Sequence, residues 1–375
     1  MQKNILRTSI SCLIFGSISV SLTHNIQAAE ITQQVSATGE VQYDSNPLLA
    51  TSQTGAWRYI ATPSYGINIQ DGSNTWNVNG LINLQRSSNT NQVANREDPD
   101  IRGFWRHEFE SGSFGLRAGY SEQSTVINNT IITTGIVTTT DGTRKNAVIG
   151  GDLIKDFSDK LKFLVGLDHQ EIRYQNTANV PNYNLSTVTP SLVYEYSDIY
   201  APFVDAKYSY YKFDNGSGDY INYKEVGAGV TAKLNEKLTL KLRGAYFSYD
   251  GFQSNDDVLG GIRVDYAEDK IHSYLDLSRS DDPVGIGGYV LADVLLTGAS
   301  YNIREKDTVG ADLFVRRSRD NTNFQYHEIS AYMNHQVTEN WQLRLTAAHR
   351  EVDNAGLKGI GSVVGFSVIY NNLNF

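Results

Sequence analysis

Cysteine is almost absent from this chain of 375 residues. The single one, Cys12, lies in an N-terminal segment in which Lys3 and Arg7 precede a short apolar run that is followed by two adjacent alanines. These are the features of a secretory signal peptide and its cleavage site. A lipoprotein anchor at Cys12 is disfavoured because the cysteine precedes most of the apolar run. The sequence predicts a signal peptide over residues 1–29 and a mature chain, residues 30–375, without disulfides.

Long apolar runs and basic clusters are also missing. After the leader there is no run of about 18 apolar residues, so the sequence predicts no transmembrane helix. The net charge is −9 at pH 7, and neither a basic cluster nor zinc-ligand spacing occurs, which argues against a nucleic-acid partner. The chain contains only 7 prolines and 2 methionines, but 32 glycines and 23 tyrosines. A composition dominated by Asn, Ser, Thr, Tyr and Gly favours strands and turns.

A two-residue period is the main signal in the chain. The stretch TWNVNGLINLQR, residues 75–86, carries apolar side chains on one face and mostly amides on the other. The first face reads Trp76, Val78, Gly80, Ile82 and Leu84, and the second reads Asn77, Asn79, Leu81, Asn83 and Gln85. Such a strand has an apolar neighbour on one side only. That neighbour is a second sheet in a soluble sandwich, or lipid in an outer-membrane barrel whose lumen is wet.

The connections between the strands favour the barrel. Tight turns and longer polar segments alternate along the chain. The tight turns are predicted at 71–74, 111–113, 157–160, 196–199, 234–237, 267–270, 303–307 and 337–340. The longer segments are predicted at 44–55, 87–100, 125–143, 175–184, 214–219, 250–256, 280–287, 318–324 and 352–361. We therefore predict an all-β, transmembrane antiparallel β-barrel of about 18 strands (16–18), with short periplasmic turns and longer extracellular loops.

Aromatic residues gather near the predicted strand ends, as in the girdles of membrane barrels. This set comprises Trp57, Tyr59, Trp76, Trp105, Tyr120, Tyr194, Tyr196, Tyr246, Tyr289, Tyr301, Tyr326 and Trp341. Sheets are rich in tyrosine and tryptophan in any case, which is the alternative explanation. The chain ends in GFSVIYNNLNF, and Tyr370, Leu373 and Phe375 resemble the C-terminal signal that the barrel assembly machinery reads.

The whole mature chain resembles bacterial outer-membrane β-barrels of porin type. The segments VQYDSNPLL (41–49) and GLRAGYSEQST (115–125) resemble most the porin 2-like families of Gram-negative bacteria, which are sometimes encoded beside exopolysaccharide genes. The alternative for YDSNPL is a good turn sequence at a strand end. The resemblance implies a location in the outer membrane of a Gram-negative bacterium, with lipid, lipopolysaccharide and the assembly machinery as partners.

The strand phases place charged residues on the predicted lumen face. The pore-lining candidates are Arg102, Arg106, Glu108, Arg117, Asp152, Asp168, Lys241, Arg243, Arg263, Asp265, Asp312, Arg316 and Arg344. The signs are mixed, so no ion preference follows from them. Such charges set ion selectivity in a pore, or pair across strands and hold the wall rigid. The Thr-rich segment Thr125–Thr143 either folds into the lumen or extends two strands above the membrane.

Two functions stay open on the sequence. The first is a passive, porin-like channel for small polar solutes, in which Phe104, Phe247 and Tyr274 could stack on sugar faces. The second is a non-conducting barrel that serves as scaffold or export partner in a surface-polysaccharide or surface-protein pathway. An enzyme is not predicted, because the histidines are scattered and the Asp-Asp pairs at 256 and 281 fall in polar loops. No cofactor or metal is predicted, and the oligomeric state stays unknown.

Overall fold

The computed structural model describes most of the predicted mature chain. The described residues are 29–125, 141–177, 180–214, 220–251, 255–284, 288–318, 324–354 and 356–373, without the side chains of 282–289 and 373. The predicted signal peptide, most of the Thr-rich segment and Phe375 lie outside these residues.

In the described part of the chain, eighteen strands make up a single antiparallel sheet. Their bounds are β1 Glu30–Asp44, β2 Ala56–Asp71, β3 Asn74–Ser87, β4 Arg96–Phe109, β5 Gly112–Ser124, β6 Thr143–Asp156, β7 Leu161–Gln175, β8 Tyr183–Tyr194, β9 Tyr200–Phe213, β10 Tyr220–Lys233, β11 Leu238–Asp250, β12 Asn255–Glu268, β13 Ile271–Val284, β14 Gly288–Arg304, β15 Asp307–Ser318, β16 Phe324–Gln336, β17 Trp341–Asn354 and β18 Leu357–Leu373. No helix long and apolar enough to cross a membrane is found among the described residues.

Pairing of the first and last strands closes the sheet. Each strand pairs with its neighbours in sequence, and β1 pairs with β18 from Gln34↔Leu373 to Asp44↔Val363. A closed antiparallel sheet satisfies its backbone hydrogen bonds internally and leaves no edge, which is the condition for crossing a bilayer with strands. The prediction of an all-β barrel with about 18 strands is confirmed.

The two rims of the barrel carry different connections. At the rim that holds the start of β1 and the end of β18, eight connections of two to five residues join the strands, at the positions predicted for tight turns. The turn before β5 depends on Gly112, which has a φ of 146° and whose added Cβ would lie 2.0 Å from the Ile154 carbonyl oxygen. We call this the turn rim and the opposite one the loop rim.

At the loop rim, the prediction of a long loop is wrong for two segments. The segments 280–287 and 352–361 are largely strand, because β13 runs to Val284 and β17 runs to Asn354. Pairing continues through Pro283↔Tyr289 and Asp353↔Lys358. The polar and turn-forming residues in these segments predicted loops. They reflect contact with water, and the strands continue through them. The alternation of short and long connections therefore fails at these two places, and the four residues between Asp250 and Asn255 are no longer than a turn at the other rim.

The outer face of the wall is apolar and its two edges are aromatic. On β3, Trp76 and Val78 are 49% and 52% exposed in the isolated barrel, whereas Gln85 on the other face is 3% exposed. Rings pack against each other on this face at both rims, as in Trp76–Trp105 at 5.5 Å near the turn rim and Tyr43–Trp57 at 5.1 Å near the loop rim. The apolar face of the opening stretch is thus the outer, lipid-compatible surface.

One member of the predicted girdle is placed differently. Tyr326 faces inward and is only 3% exposed, and its hydroxyl donates a hydrogen bond to Glu328. Its neighbour along β16 on the outer face, Ile329, is 57% exposed. The phase of a strand, and not the mere presence of a ring near its end, decides which aromatic residues reach the lipid.

An arginine scan across one strand pair tests the two faces. Leu167 on β7 is 52% exposed on the outer face, and Thr189 on β8 is exposed on the inner face, near Asp152. We expect Leu167→Arg to lower the unfolding free energy by about 2–4 kcal/mol, because a cation is then placed in hydrocarbon. Thr189→Arg is the matched control and should cost less than about 1 kcal/mol, since its side chain stays in water. Urea titration of both variants in lipid vesicles measures this, and equal losses would contradict the assigned faces.

Candidate functional site: the barrel lumen

All thirteen pore-lining candidates lie on the inner face. Each falls in a strand on the face opposite the exposed apolar side chains; for example, Arg102 follows Ile101, which is 55% exposed, and Asp168 follows Leu167. In a closed barrel this face bounds the lumen. Their contribution to conduction stays a prediction.

A ladder of ion pairs runs along the inner face of β4 to β7. The Arg106 guanidinium lies 3.2 Å from Asp152, and Arg117 lies 3.6 Å from the same carboxylate. Arg117 also donates two hydrogen bonds to Asp168, from Nε at 3.0 Å and from Nη2 at 2.5 Å. The bidentate geometry fixes the planar guanidinium against the wall.

Glycines make room for these long side chains. A Cβ added at Gly150 would lie 2.5 Å from the Asp168 carboxylate and 3.0 Å from Arg117 Nε. At Gly227 it would lie 2.6 Å from Asp205 and 2.7 Å from Arg243. The charged groups therefore lie flat along the strands, over positions without a side chain, and do not project across the lumen.

Most of the other lumenal arginines are also paired. Arg243 on β11 forms ion pairs with Asp205 on β9 and Glu225 on β10. Arg263 contacts Asp265 at 2.9 Å. The remaining pairs are Arg263–Asp276 at 3.7 Å and Arg102–Asp100 at 2.6 Å. The positive and negative charges of the wall are thus interleaved at close range.

Other candidates have aromatic partners. Lys241 Nζ lies 5.3 Å from the centre of the Phe203 ring, and the Arg344 guanidinium lies 4.8 Å from that of Tyr332. Asp312 accepts a hydrogen bond of 2.7 Å from the Tyr274 hydroxyl. These pairs lie in the half of the lumen next to the turn rim.

Two further candidates lie elsewhere on the inner face. Arg316 is 3% exposed and lies opposite Tyr326 in the β15–β16 register, nearer the loop rim. Glu108 lies beside the turn rim, and no ion pair joins it to another described residue.

The segment after β1 folds into the lumen, which the sequence did not predict. Asn46 is fully buried and donates two hydrogen bonds from its amide, to the Ala50 carbonyl at 2.8 Å and to the Ile360 carbonyl on β18 at 3.0 Å. Asp44, at the end of β1, is 1% exposed. It lies 2.7 Å from Arg350 and 3.7 Å from Arg58. YDSNPL is therefore more than a turn at a strand end, because it anchors a loop inside the barrel.

Apolar packing completes this anchor. Leu49 is 4% exposed and packs with Phe324, Tyr326 and Val352. The backbone of β18 allows the approach, since a Cβ at Gly359 would lie only 1.7 Å from the Leu49 carbonyl oxygen. Paired leucines in an otherwise polar loop were the one sequence signal for this inward fold.

A second group of charged side chains, around Arg96, holds the β3–β4 loop in place. Arg96 forms ion pairs with Asp98 at 2.7 Å and with Asp141 at 3.5 Å. Asp141 also accepts the Ala94 amide at 2.9 Å, and the adjacent Val93 is fully buried. The β3–β4 loop is therefore held down against the start of β6.

The β13–β14 hairpin enters the lumen from the other side. β13 pairs with β12 only from Gly260↔Arg279 downward, although β12 itself continues to Asn255. Beyond that point Leu291 of β14 packs in one cluster with Leu259 and Tyr223, which face inward. Because this cluster covers the inner face from β7 to β12, Leu291 can belong to it only if the hairpin lies inside the wall.

The hairpin rests on a cluster of aromatic and aliphatic side chains. Its buried members on β7 to β12 are Ile172, Tyr174, Tyr183, Tyr211, Phe213, Ile221, Tyr223, Ala245, Phe247, Tyr249 and Leu259. Tyr223 and Phe247 stack with their ring centres 5.7 Å apart. The loop-rim half of the lumen is thus narrowed from two sides, while the turn-rim half keeps its charged wall.

Asp281 at the base of this hairpin corrects a prediction. It was expected in a solvated loop, but it lies in β13 against the inner cluster. It lies on the loop-rim side of the Arg279–Asp293 ion pair. Asp256 likewise belongs to a strand, where it accepts a hydrogen bond from Tyr246.

Solved structures of outer-membrane channels have this fold. OpdO from Pseudomonas aeruginosa matches with a TM-score of 0.56 at 11% identity, covering 92% of this chain and 98% of its own. OccAB4 from Acinetobacter baumannii gives a TM-score of 0.54 at 11% identity, with 93% and 100% covered. The chain has a porin-type barrel fold. The ferric enterobactin receptor PfeA from Pseudomonas aeruginosa also matches, with a TM-score of 0.52 at 8% identity over 91% of this chain and 80% of that one.

Sequence comparisons add nothing to this likeness. No protein-family model matches the chain, and no curated protein matches it. At identities of 8–11% the structural matches establish the fold alone.

Removal of the Asp44 carboxylate tests the inner anchor. Asp44→Ala leaves Arg58 and Arg350 buried without their shared partner, so we expect a loss of about 3 kcal/mol in unfolding free energy. We also expect a protease that cuts at leucine to cleave the 45–55 segment in the folded barrel. Asp100→Ala is the control, since Arg102 is exposed and the pair should contribute less than about 1 kcal/mol. Resistance of Asp44→Ala to the protease would show that this carboxylate does not hold the loop.

Proposed function

We propose that this chain is an outer-membrane channel through which small polar solutes diffuse. The observation that carries the proposal is the division of the wall into two faces. The outer face is apolar with aromatic edges, and the inner face carries at least thirteen charged residues on its strands. This many charged side chains need contact with water, because burying an ionised side chain in a dry interior destabilises the fold by several kcal/mol unless it is fully paired.

The pairing of lumen charges bears on selectivity. Arginines and carboxylates alternate at 2.5–3.7 Å, so their fields cancel over short distances in an aqueous lumen. Over Gly150 and Gly227 the flat arrangement keeps Arg117 and Arg243 close to the wall. We expect a channel with weak ion preference that admits neutral and zwitterionic solutes. OpdK of Pseudomonas aeruginosa, a structural neighbour at 9% identity with a TM-score of 0.54, was solved with vanillate.

A non-conducting scaffold or export partner is the second candidate. The observation that favours it is the occupation of the loop-rim half by the Asp44–Ala50 segment and the β13–β14 hairpin. A lumen that is closed at that level would still fold in the same way. Conductance separates the two functions.

The remaining assignments belong to the same proposal. We also propose that residues 1–29 are a signal peptide, that the chain belongs to the porin 2-like families and that it contacts lipopolysaccharide. The assembly signal is Tyr370, Leu373 and Phe375. Tyr370 supports it by its place in the turn-rim girdle, where its ring centre lies 4.9 Å from that of Trp341. Leu373 ends β18, opposite Gln34.

Planar-bilayer recordings of the refolded mature chain test the channel. Conductance steps of reproducible size would support an open lumen. A barrel that migrates differently when boiled and unboiled, and is therefore folded, but stays silent over pH 5–8 would favour the scaffold role.

Charge reversal within the ladder should change the ion preference. Arg117→Glu places a third acid beside Asp152 and Asp168, so we expect the reversal potential in a salt gradient to move toward that of a cation-selective pore. Lys358→Glu is the control, because Lys358 is 64% exposed on the outer side of β18. Equal shifts in both variants would mean that the ladder does not line the ion path.

A further inference from the structure

Two tyrosine rings lie against the inner wall on either side of β15, in the half of the lumen next to the turn rim. Tyr274 on β13 reaches across β14, since a Cβ added at Gly298 would lie 2.9 Å from two atoms of its ring. Tyr332 on β16 reaches toward β15 from the other side, and a Cβ added at Gly310 would lie 2.4 Å from its Cζ. Glycine at these two positions lets the rings lie along the wall. We call Tyr274 and Tyr332 the tyrosine pair.

A carboxylate lies beside the tyrosine pair. Tyr274, Gly298 and Asp312 stand opposite one another in the register of β13, β14 and β15, and Gly310, opposite Tyr332, is the preceding inner-face position of β15. The Tyr274 hydroxyl donates a hydrogen bond of 2.7 Å to Asp312. A carboxylate can accept about four hydrogen bonds, so this bond orients the group and leaves acceptor capacity for a solute. Tyr274, Asp312 and Tyr332 are half-buried, which keeps part of each in the lumen.

Arg344 on β17 adds hydrogen-bond donors to this group. Its guanidinium lies 4.8 Å from the centre of the Tyr332 ring, and a guanidinium carries N–H donors but no acceptor. Its positive charge balances the negative charge of Asp312. A cation entering the group would meet Arg344 on the same ring, and an anion would meet Asp312, so the electrostatics favour an uncharged solute.

We propose that the tyrosine pair, Asp312 and Arg344 form a binding site for the pyranose ring of a neutral saccharide that passes through the lumen. A pyranose has a C–H face, which stacks on an aromatic ring, and a rim of hydroxyl groups, which donate to a carboxylate and accept from a guanidinium. Apolar surface with a few well-placed polar groups is what orients a small ligand. The inference rests on the proposed channel function and names its class of solute.

Phe203 on β9 is a comparable ring elsewhere in the lumen. It also lies over a glycine, since a Cβ added at Gly229 would lie 2.4 Å from its Cζ, and Lys241 Nζ lies 5.3 Å from its centre. The acid at the next inner-face position of β9, Asp205, is held in an ion pair with Arg243. Phe203 therefore has a glycine and a cation beside it, but its neighbouring carboxylate is already bound to an arginine. It serves as the matched control.

Bilayer recordings with added maltose test the site. Maltose in the lumen should interrupt the ionic current of the wild-type channel in a concentration-dependent way. Tyr332→Ala removes a stacking surface and Asp312→Asn removes a charged acceptor, so each should raise the half-blocking concentration about tenfold. Phe203→Ala should change it by less than about twofold, since that ring lies outside the site. An equal rise in Phe203→Ala, or no rise in Tyr332→Ala and Asp312→Asn, would overturn the proposal.

A conservative variant separates the ring from its hydroxyl and guards against misfolding. Tyr332→Phe keeps the stacking surface, so its half-blocking concentration should stay within about threefold of the wild-type value. Each variant should also migrate differently when boiled and unboiled, which shows that it is folded. A loss in folded Tyr332→Phe as large as that in Tyr332→Ala would contradict stacking on the ring.

Titration calorimetry of the folded barrel in detergent measures the site without conductance. The probes are maltose and, as a solute with a cationic group, glycine betaine. A silent barrel that binds maltose in the wild type but not in Tyr332→Ala would reject the channel and keep the site. A conducting barrel that responds to maltose in neither experiment would reject the site and keep the channel. Binding of glycine betaine in place of maltose, lost in Asp312→Asn, would also overturn the proposal.

Discussion

The closure of β1 on β18 is the constraint on which the structure depends. Within hydrocarbon each backbone amide and carbonyl needs a partner, and an open sheet would leave two edges without one. Once closed, the wall sorts side chains by alternation alone. Trp76 and Val78 face outward and Asn77 and Asn79 face inward, and the same rule places Arg117 and Asp168 together across the strands.

The sequence predicted the features that follow from this alternation. Strand number, the eight tight turns and the inner position of candidates such as Arg106 and Arg243 all agree with the structure. The periodic signal is local, so it is readable without knowing the partners of a strand. It held wherever a strand stayed within the wall.

The elements inside the lumen were not predictable in this way. Asn46 and Leu49 lie in a segment whose composition equally suits a solvated turn, and only contact with β18 shows its inward fold. Asp281 has the phase of an outward residue, yet it faces the inner cluster because its hairpin leaves the wall. Alternation gives the face of a residue relative to its own strand, but not the position of that strand in the barrel.

The central claim is a wet inner face behind a lipid-covered outer face. Val188 and Thr189 on β8 are adjacent, near the middle of the wall, and residues 30–375 contain no other thiol once a cysteine is introduced at either. The most direct measurement is the reaction of each single-cysteine variant with a charged, membrane-impermeant thiol reagent in lipid vesicles. The account predicts rapid labelling at Thr189→Cys and protection at Val188→Cys. Protection at both positions, or labelling at Val188→Cys alone, would contradict it.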